Sequence, residues 1–186
     1  HPANRSAGKN GWDGGIEDHY RRCAQVVGKA LEYADDETVV MALSDHGFGS
    51  YRRDFNVNTW LLENGFLALK HGVDAGEEAG ELLQKVDWDR TKAYSVGFAG
   101  IYLNMKGREA NGIVSPSDAD HVQAAIKAAL GQLRDTHLGA APISGVRTRR
   151  EVYSGDFAGE SPDLMINFAA GYRASSQTAL GGVPLT

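Results

Sequence analysis

The sequence contains almost no cysteine: Cys23 is the only one in 186 residues. A single thiol excludes an internal disulfide and a multi-cysteine zinc site, but it does not indicate the cellular compartment, which stays open. Because Cys23 falls on the apolar side of a predicted helix, we expect it to be a small residue of the core.

The sequence also lacks a long apolar run and an excess of positive charge. No stretch approaches the roughly 18 apolar residues of a membrane-spanning helix, so we expect no membrane contact of that kind. The chain has 19 Lys and Arg residues against 24 Asp and Glu residues, a formal net charge of −5. This balance, with no basic stripe beside the tryptophans, argues against a nucleic-acid-binding platform.

The first residues, HPANR, include neither an initiator methionine nor the apolar segment of a secretory signal. We therefore expect residues 1–186 to be a single segment of a longer protein. Residues 1–15, rich in Gly and Asn, predict an irregular lead-in, and the Gly- and Ser-rich residues 171–186 predict a loop-like tail.

Apolar periodicity between these ends predicts interleaved helices and strands. This order is typical of an α/β fold in which helices cover a sheet, and the apolar segment 38–43 is expected to be a central strand buried on both faces. The predicted helices cover 16–34, a segment from a cap at Asp54 or Asn56 to Asn64-Gly65, 76–85, and a segment opened by Ser115-Pro116 that ends near Leu133. The predicted strands lie at 66–69, 93–96, 101–104, 146–153 and 164–168.

Asp45 and His46 follow the predicted central strand directly. In open α/β sheets, ligands bind beyond the carboxyl ends of parallel strands, where the loops diverge. Neighbouring side chains of a strand point to opposite faces, but Gly47 permits a sharp turn that lets both groups face one site. A carboxylate oxygen beside an imidazole nitrogen suits zinc or a similar divalent ion.

A second interpretation of this dipeptide stays open at this point. Asp45 could cap the following turn through its side chain, while His46 fills a half-buried position with no ligand at all. Two residues of suitable type and spacing do not decide between these interpretations.

Three longer stretches carry a resemblance to a known family. The segments SDHGFGSYRRDFNVNTWLLENGFLAL, VDWDRTKAYSVGFAGIYLNMKGREANGIV and RREVYSGDFAGESPDLMINFAAGYRASSQTALGGVP closely resemble the alkaline phosphatase superfamily, in its type I phosphodiesterase/nucleotide pyrophosphatase-like branch. The resemblance implies an α/β/α sandwich, incomplete in this chain, and metal-dependent hydrolysis of phosphodiester or pyrophosphate bonds in small nucleotide-like substrates.

The resemblance also implies a two-metal site in which Asp45 and His46 bind one metal. The expected cofactors are two divalent ions about 4 Å apart, zinc or alternatively manganese, with a Ser or Thr nucleophile. The family's nucleophile and its other metal ligands cannot be assigned to positions of this sequence. We therefore expect two of about six ligands here and the remainder of a parent chain as the partner that completes the site.

Arg52 and Arg53 lie just after the ligand loop and are candidates for binding the substrate phosphate through charge-assisted hydrogen bonds. The alternative for both arginines is a solvated or ion-paired surface role. For the whole chain, two other functions stay open: a phosphomutase or sulfatase of the same superfamily, and a non-catalytic α/β binding module.

Overall fold

The structure is a computed structural model that describes residues 14–47, 49–76 and 80–185. The chain divides into two units, His1–Ser50 and Tyr51–Thr186. No helix among the described residues has both the length and the apolar character needed to span a membrane. The helices are α1 Gly15–Leu31, α2 Val57–Glu63, α3 Ala119–Gln132, α4 Arg149–Val152 and α5 Ser176–Ala179, and the strands are β1 Arg53–Phe55, β2 Ala93–Ser95, β3 Gly100–Leu103, β4 Ile143–Thr148, β5 Leu164–Phe168 and β6 Tyr172–Ala174.

Helix α1 dominates the described part of the first unit and confirms the helix predicted there. Its first turn is acidic, and Glu17 and Asp18 both pair with Arg21 one turn later. No residue of α1 is buried, and the apolar Ile16 and Tyr20 are largely exposed. The expectation that Cys23 belongs to a core is wrong, since Cys23 is exposed. An amphipathic pattern specifies which side of a helix suits burial but not what covers that side.

The segment 38–43 is not the buried central strand that its composition predicts. It pairs with no other segment among the described residues, and Val39, Met41 and Leu43 are 87%, 76% and 78% exposed. β-branched residues favour an extended backbone, but a strand forms only where a neighbour accepts its hydrogen bonds. The described part of the first unit offers no such neighbour. The lead-in predicted for 1–15 lies, up to residue 13, outside the described residues.

Two sheets organise the second unit, and together with the helices they confirm the α/β class. Strands β2, β3, β5 and β4 form an antiparallel sheet in that spatial order, and β1 pairs with β6 in parallel. In the β2–β3 pair, Tyr94 lies opposite Tyr102 and their rings stack at 5.5 Å. Cross-strand aromatic pairs of this kind help to fix the strand register.

The core of the second unit forms between this sheet and the two longer helices of the unit. Helix α3 contributes Val122, Ile126 and Leu130, spaced at four residues so that they share one face. Strands β3 and β5 contribute side chains that are fully buried, and helix α2 contributes Val57, Trp60 and Leu61 as predicted. Each fully buried aliphatic side chain stabilises the fold by roughly 1.5–3 kcal/mol relative to exposure.

Residues 66–85 depart from the prediction. The expected strand at 66–69 is reduced to one isolated bridge between Leu69 and Val86. The expected helix at 76–85 is wrong for the residues described there, because 82–85 form a turn and 80–81 are not helical. Gly80, Leu82 and Leu83 have positive φ angles of 67°, 54° and 58°. A right-handed helix cannot contain this left-handed backbone, which costs L-residues about 1–2 kcal/mol each.

The remaining differences concern element ends and the C-terminal region. The β2–β3 hairpin and β5 lie where expected, whereas α3 begins at Ala119, three residues after the predicted proline start, because 116–118 form a turn first. Strand β4 ends at Thr148, where a capping box with Glu151 starts α4. Residues 171–186 are not a plain loop, since they contain β6 and α5. The pairing of Asp54 with Arg173 joins positions too distant in sequence for local composition to reveal.

Asn58 connects three segments inside the second unit. Its buried amide donates to the backbone oxygens of Ser95 at 2.9 Å and Gly182 at 3.2 Å, and its oxygen accepts from the Ser95 amide at 2.8 Å. Helix α2 is thereby fixed to β2 and to the backbone that follows α5. Backbone groups buried in this way need such partners, because they have no access to water.

Replacing Asn58 with alanine tests this connection. We expect Asn58→Ala to lower the free energy of unfolding by about 3 kcal/mol, because three buried backbone groups lose their partner. Urea unfolding followed by circular dichroism measures the change. As a control, Asn111→Ala removes an exposed amide side chain and is expected to change stability by less than about 0.5 kcal/mol. Equal losses in the two variants would contradict the role of Asn58.

Candidate functional site

Asp45 and His46 lie on an irregular segment of the first unit, immediately before the glycine that was predicted to turn the chain. Their side chains are 86% and 65% exposed, and the Asp45 Oδ2 to His46 Nε2 distance is 3.3 Å. The two groups therefore converge, as the sequence predicts, although no paired strand precedes them.

Short-range hydrogen bonds hold this arrangement. The backbone amide of His46 donates to Asp45 Oδ1 at 3.0 Å, and the hydroxyl of Ser44 donates to the His46 carbonyl at 2.6 Å. These contacts bend the backbone locally and bring adjacent side chains to one side, which an extended strand would not allow.

The imidazole has a defined orientation. His46 Nδ1 lies 2.9 Å from the Gly47 carbonyl oxygen. Because a carbonyl can only accept, Nδ1 carries the proton, and in the neutral ring Nε2 presents its lone pair toward Asp45. Two acceptor atoms then face each other, an arrangement that a cation or a proton between them stabilises. Histidines that bind metals are commonly oriented through such a bond from the other ring nitrogen.

The donor set suits a divalent ion but is incomplete within the described residues. A carboxylate oxygen and an imidazole nitrogen are ligands that zinc accepts. No group of three or more His, Cys, Asp or Glu side chains that could hold a metal occurs in the described parts of the chain. Asp45 and His46 supply two donors of suitable type, and a metal site at this pair stays a prediction.

Arg52 and Arg53 belong to the second unit. Arg52 donates its backbone amide to Gly171, and Arg53 lies in β1, with its Nε 3.0 Å from Asp135 Oδ2. The Arg53 side chain is 42% exposed and the Asp135 side chain 5%. This geometry fits the ion-paired alternative for Arg53, and substrate binding by either arginine stays a prediction.

Asp135 is a buried charge that the sequence did not reveal. Its carboxylate accepts from the Tyr172 hydroxyl at 2.9 Å and from the backbone amides of His137 and Leu138, in addition to Arg53. Desolvation raises the pKa of Asp135, but these hydrogen bonds and the charge of Arg53 lower the pKa by more than desolvation raises it. The pKa of Asp135 therefore lies below its ordinary value of 3.8. Desolvation and the bond to Asp135 raise the pKa of Tyr172.

The Asp135 cluster borders a cavity of about 420 Å³ that Trp60 and Pro142 also line. The three side chains of this cluster come from positions 53, 135 and 172, which are too far apart in the sequence to form a local motif. The only sequence signal is weak: Asp135 precedes a turn, where aspartate often binds backbone amides two residues on.

These observations describe a mixed α/β protein in which an exposed carboxylate and imidazole pair has the donor types found in metal-dependent hydrolases. A family model described as Type I phosphodiesterase / nucleotide pyrophosphatase matches residues 3–181, and the chain therefore belongs to that family. The resemblance in the sequence is confirmed, and the family supports hydrolysis of phosphodiester bonds. No curated protein and no solved structure gives a significant match.

The lowered pKa of Asp135 predicts an acid-dependent loss of stability. The Asp135 interactions contribute fully above the ordinary carboxyl pKa of 3.8 and are lost as the pH falls through the lower pKa of the folded state. Asp135→Asn should therefore be less stable than the wild type at neutral pH, and the difference should shrink as the pH falls below 3.8. Urea unfolding at a series of pH values measures it.

Asp156→Asn is the matched control, because Asp156 is exposed and makes no side-chain hydrogen bond to the described residues. Its stability should follow that of the wild type throughout the pH series. A difference between Asp135→Asn and wild type that stayed constant down to the lowest pH would reject the linkage.

Proposed function

We propose that this chain is part of a metal-dependent phosphodiesterase or nucleotide pyrophosphatase in which Asp45 and His46 bind a divalent metal, zinc or alternatively manganese. The observation that carries the proposal is the convergence of the two side chains, with the imidazole held by the Gly47 carbonyl so that Nε2 faces Asp45. Family membership supports the reaction class.

A metal bound there would activate a hydroxyl nucleophile and polarise the phosphoryl oxygen of the substrate. The residues of this chain supply oxygen and nitrogen donors, and the Ser44 and Gly47 contacts hold those donors in place. Because their donor atoms are already oriented, the Asp45 and His46 side chains would need little rearrangement to bind a metal. We assign no residue of this sequence as the nucleophile, and a small phosphoester is the proposed substrate.

One observation favours a second candidate, a non-catalytic binding module. The described residues contain no group of three or more potential metal ligands. Zinc titration of the longer protein, in which the site is expected to be complete, distinguishes the candidates: a protein that binds no metal even at millimolar zinc fits the binding module, and binding that depends on Asp45 and His46 fits the hydrolase.

Substitution of the two ligands should weaken metal binding. We expect Asp45→Asn and His46→Gln each to lower zinc affinity by at least about 100-fold, because losing even an outer-shell partner costs 10–100-fold. Calorimetry and metal analysis measure the affinity and the content. Asp36→Asn and His19→Gln are matched controls, since both residues are exposed in the same unit, and their affinity should equal that of the wild type. Unchanged zinc binding in the ligand variants would reject the assignment.

A substrate panel tests the reaction class. With zinc or manganese present, the longer protein to which this chain is proposed to belong should hydrolyse nucleotide phosphodiesters and pyrophosphates faster than phosphate monoesters or sulfate esters, because the family acts on diesters. The 186-residue segment alone is expected to be inactive, because it supplies two of about six metal ligands. Release of product, followed by chromatography, gives the rates. Turnover of sulfate esters alone would show a sulfatase instead, and interconversion of phosphate positions without hydrolysis would show a phosphomutase.

A further inference from the structure

A second charged cavity lies in the second unit, formed by elements that do not contribute to the Asp45–His46 pair. Its volume is about 520 Å³, within the range of small-molecule sites, and it lies between the loop after β3, the start of α3 and the junction of β4 with α4. Its lining includes four cationic side chains, Lys106, Arg108, Arg149 and Arg150, and two acidic ones, Asp120 and Asp163.

Part of the cavity lining is neutral overall, because Arg108 and Arg149 pair with Asp163 and Arg108 also pairs with Glu109. Asp163 accepts from both terminal nitrogens of Arg108 and from Arg149, and Glu109 accepts from Arg108 Nε at 2.8 Å. Burial lowers the pKa of Arg108, but Asp163 and Glu109 raise it more, so the guanidinium stays charged. The positive charges of Arg108 and Arg149 are thus balanced by the negative charges of Asp163 and Glu109. These ion pairs hold the two arginines in place and form one wall of the cavity.

The remaining lining residues carry the excess charge. Lys106 and Arg150 are exposed, and neither side chain makes a hydrogen bond or ion pair to another described residue. Among the described residues, Asp120 is the one further acidic group of the lining, so the lining together with Glu109 has a net charge of +1. Arg149 adds to the donors, because its Nη1 makes no bond in this arrangement while Nε and Nη2 are engaged.

We propose that this cavity binds the phosphate group of a small phosphorylated molecule, held by Lys106 and Arg150 against the wall formed by Arg108 and Arg149. The donors come from the loop after β3 on one side and from the start of α4 on the other. A tetrahedral phosphate accepts hydrogen bonds from such different directions, whereas a planar carboxylate accepts them near one plane. The proposal does not depend on a metal at Asp45 and His46.

Inorganic phosphate is the probe, and the metal-stripped 186-residue chain is the protein tested. At constant ionic strength, we expect phosphate to bind in the millimolar range and to shift the backbone amide resonances of 106–108 and 148–150. The double variant Lys106→Gln with Arg150→Gln should weaken phosphate binding roughly tenfold, because two charge-assisted contacts are lost. Acetate, added as a second probe, should bind more weakly than phosphate.

The matched control is Lys92→Gln with Arg147→Gln. It removes the same charge from two exposed residues outside the cavity, and Arg147 points away from the cavity-lining Thr148 because neighbours on a strand alternate. Its phosphate affinity should stay within about twofold of the wild type. Thermal unfolding of both double variants verifies that each remains folded.

The proposal would be overturned by the absence of phosphate binding in the wild type, by equal weakening in the two double variants, or by acetate binding as tightly as phosphate. Asp45→Asn should bind phosphate as the wild type does. Loss of phosphate binding in Asp45→Asn would place the phosphate at the proposed metal site instead, so the two proposals fail separately.

Discussion

The buried carboxylate of Asp163 is the interaction on which the antiparallel sheet of the second unit depends. It precedes β5 and accepts from the Leu103 amide at the end of β3, from Arg108 in the next loop, and from Arg149, which directly follows β4. One side chain therefore joins the ends of three neighbouring strands, β3, β5 and β4. Removing this carboxylate would leave Arg149 without its ion-pair partner and Arg108 with Glu109 alone, and breaking a buried ion pair in this way is strongly destabilising.

This network also explains why the sheet ends where it does. Strand β4 stops at Thr148, and the capping box with Glu151 turns the chain so that Arg149 reaches Asp163. Hydrogen bonds from the Thr148 amide, the Lys127 side chain and the Thr148 hydroxyl lower the pKa of Glu151 to about 2. The carboxylate that starts the helix is thus charged at any physiological pH. The Thr148–Glu151 cap and the ion pairs of Asp163 therefore favour the same backbone conformation at the end of β4.

Sequence reasoning succeeded where the determining contacts are local or periodic. The face of α3, the inner stripe of α2 and the β2–β3 hairpin follow from spacings within about 15 residues, and the convergence of Asp45 with His46 follows from a turn of three residues. It failed where the partner is distant or absent from the described chain. Segment 38–43 has strand composition without a neighbour, Cys23 has a helical face without a cover, and β6 pairs with residues about 120 positions earlier.

The contrast between local and long-range contacts also separates the carboxylates that are available to bind a ligand from those that are not. Asp163 and Asp135 each accept several hydrogen bonds from structural partners and are nearly buried, so their oxygens are already committed to the fold. Asp45 is exposed, and its contacts are with its neighbour His46, which is itself the other proposed ligand. A metal bound there would replace contacts within the pair without breaking the fold. The convergence of this pair could be predicted from its sequence, because it depends on contacts among residues 44–47 and not on long-range packing.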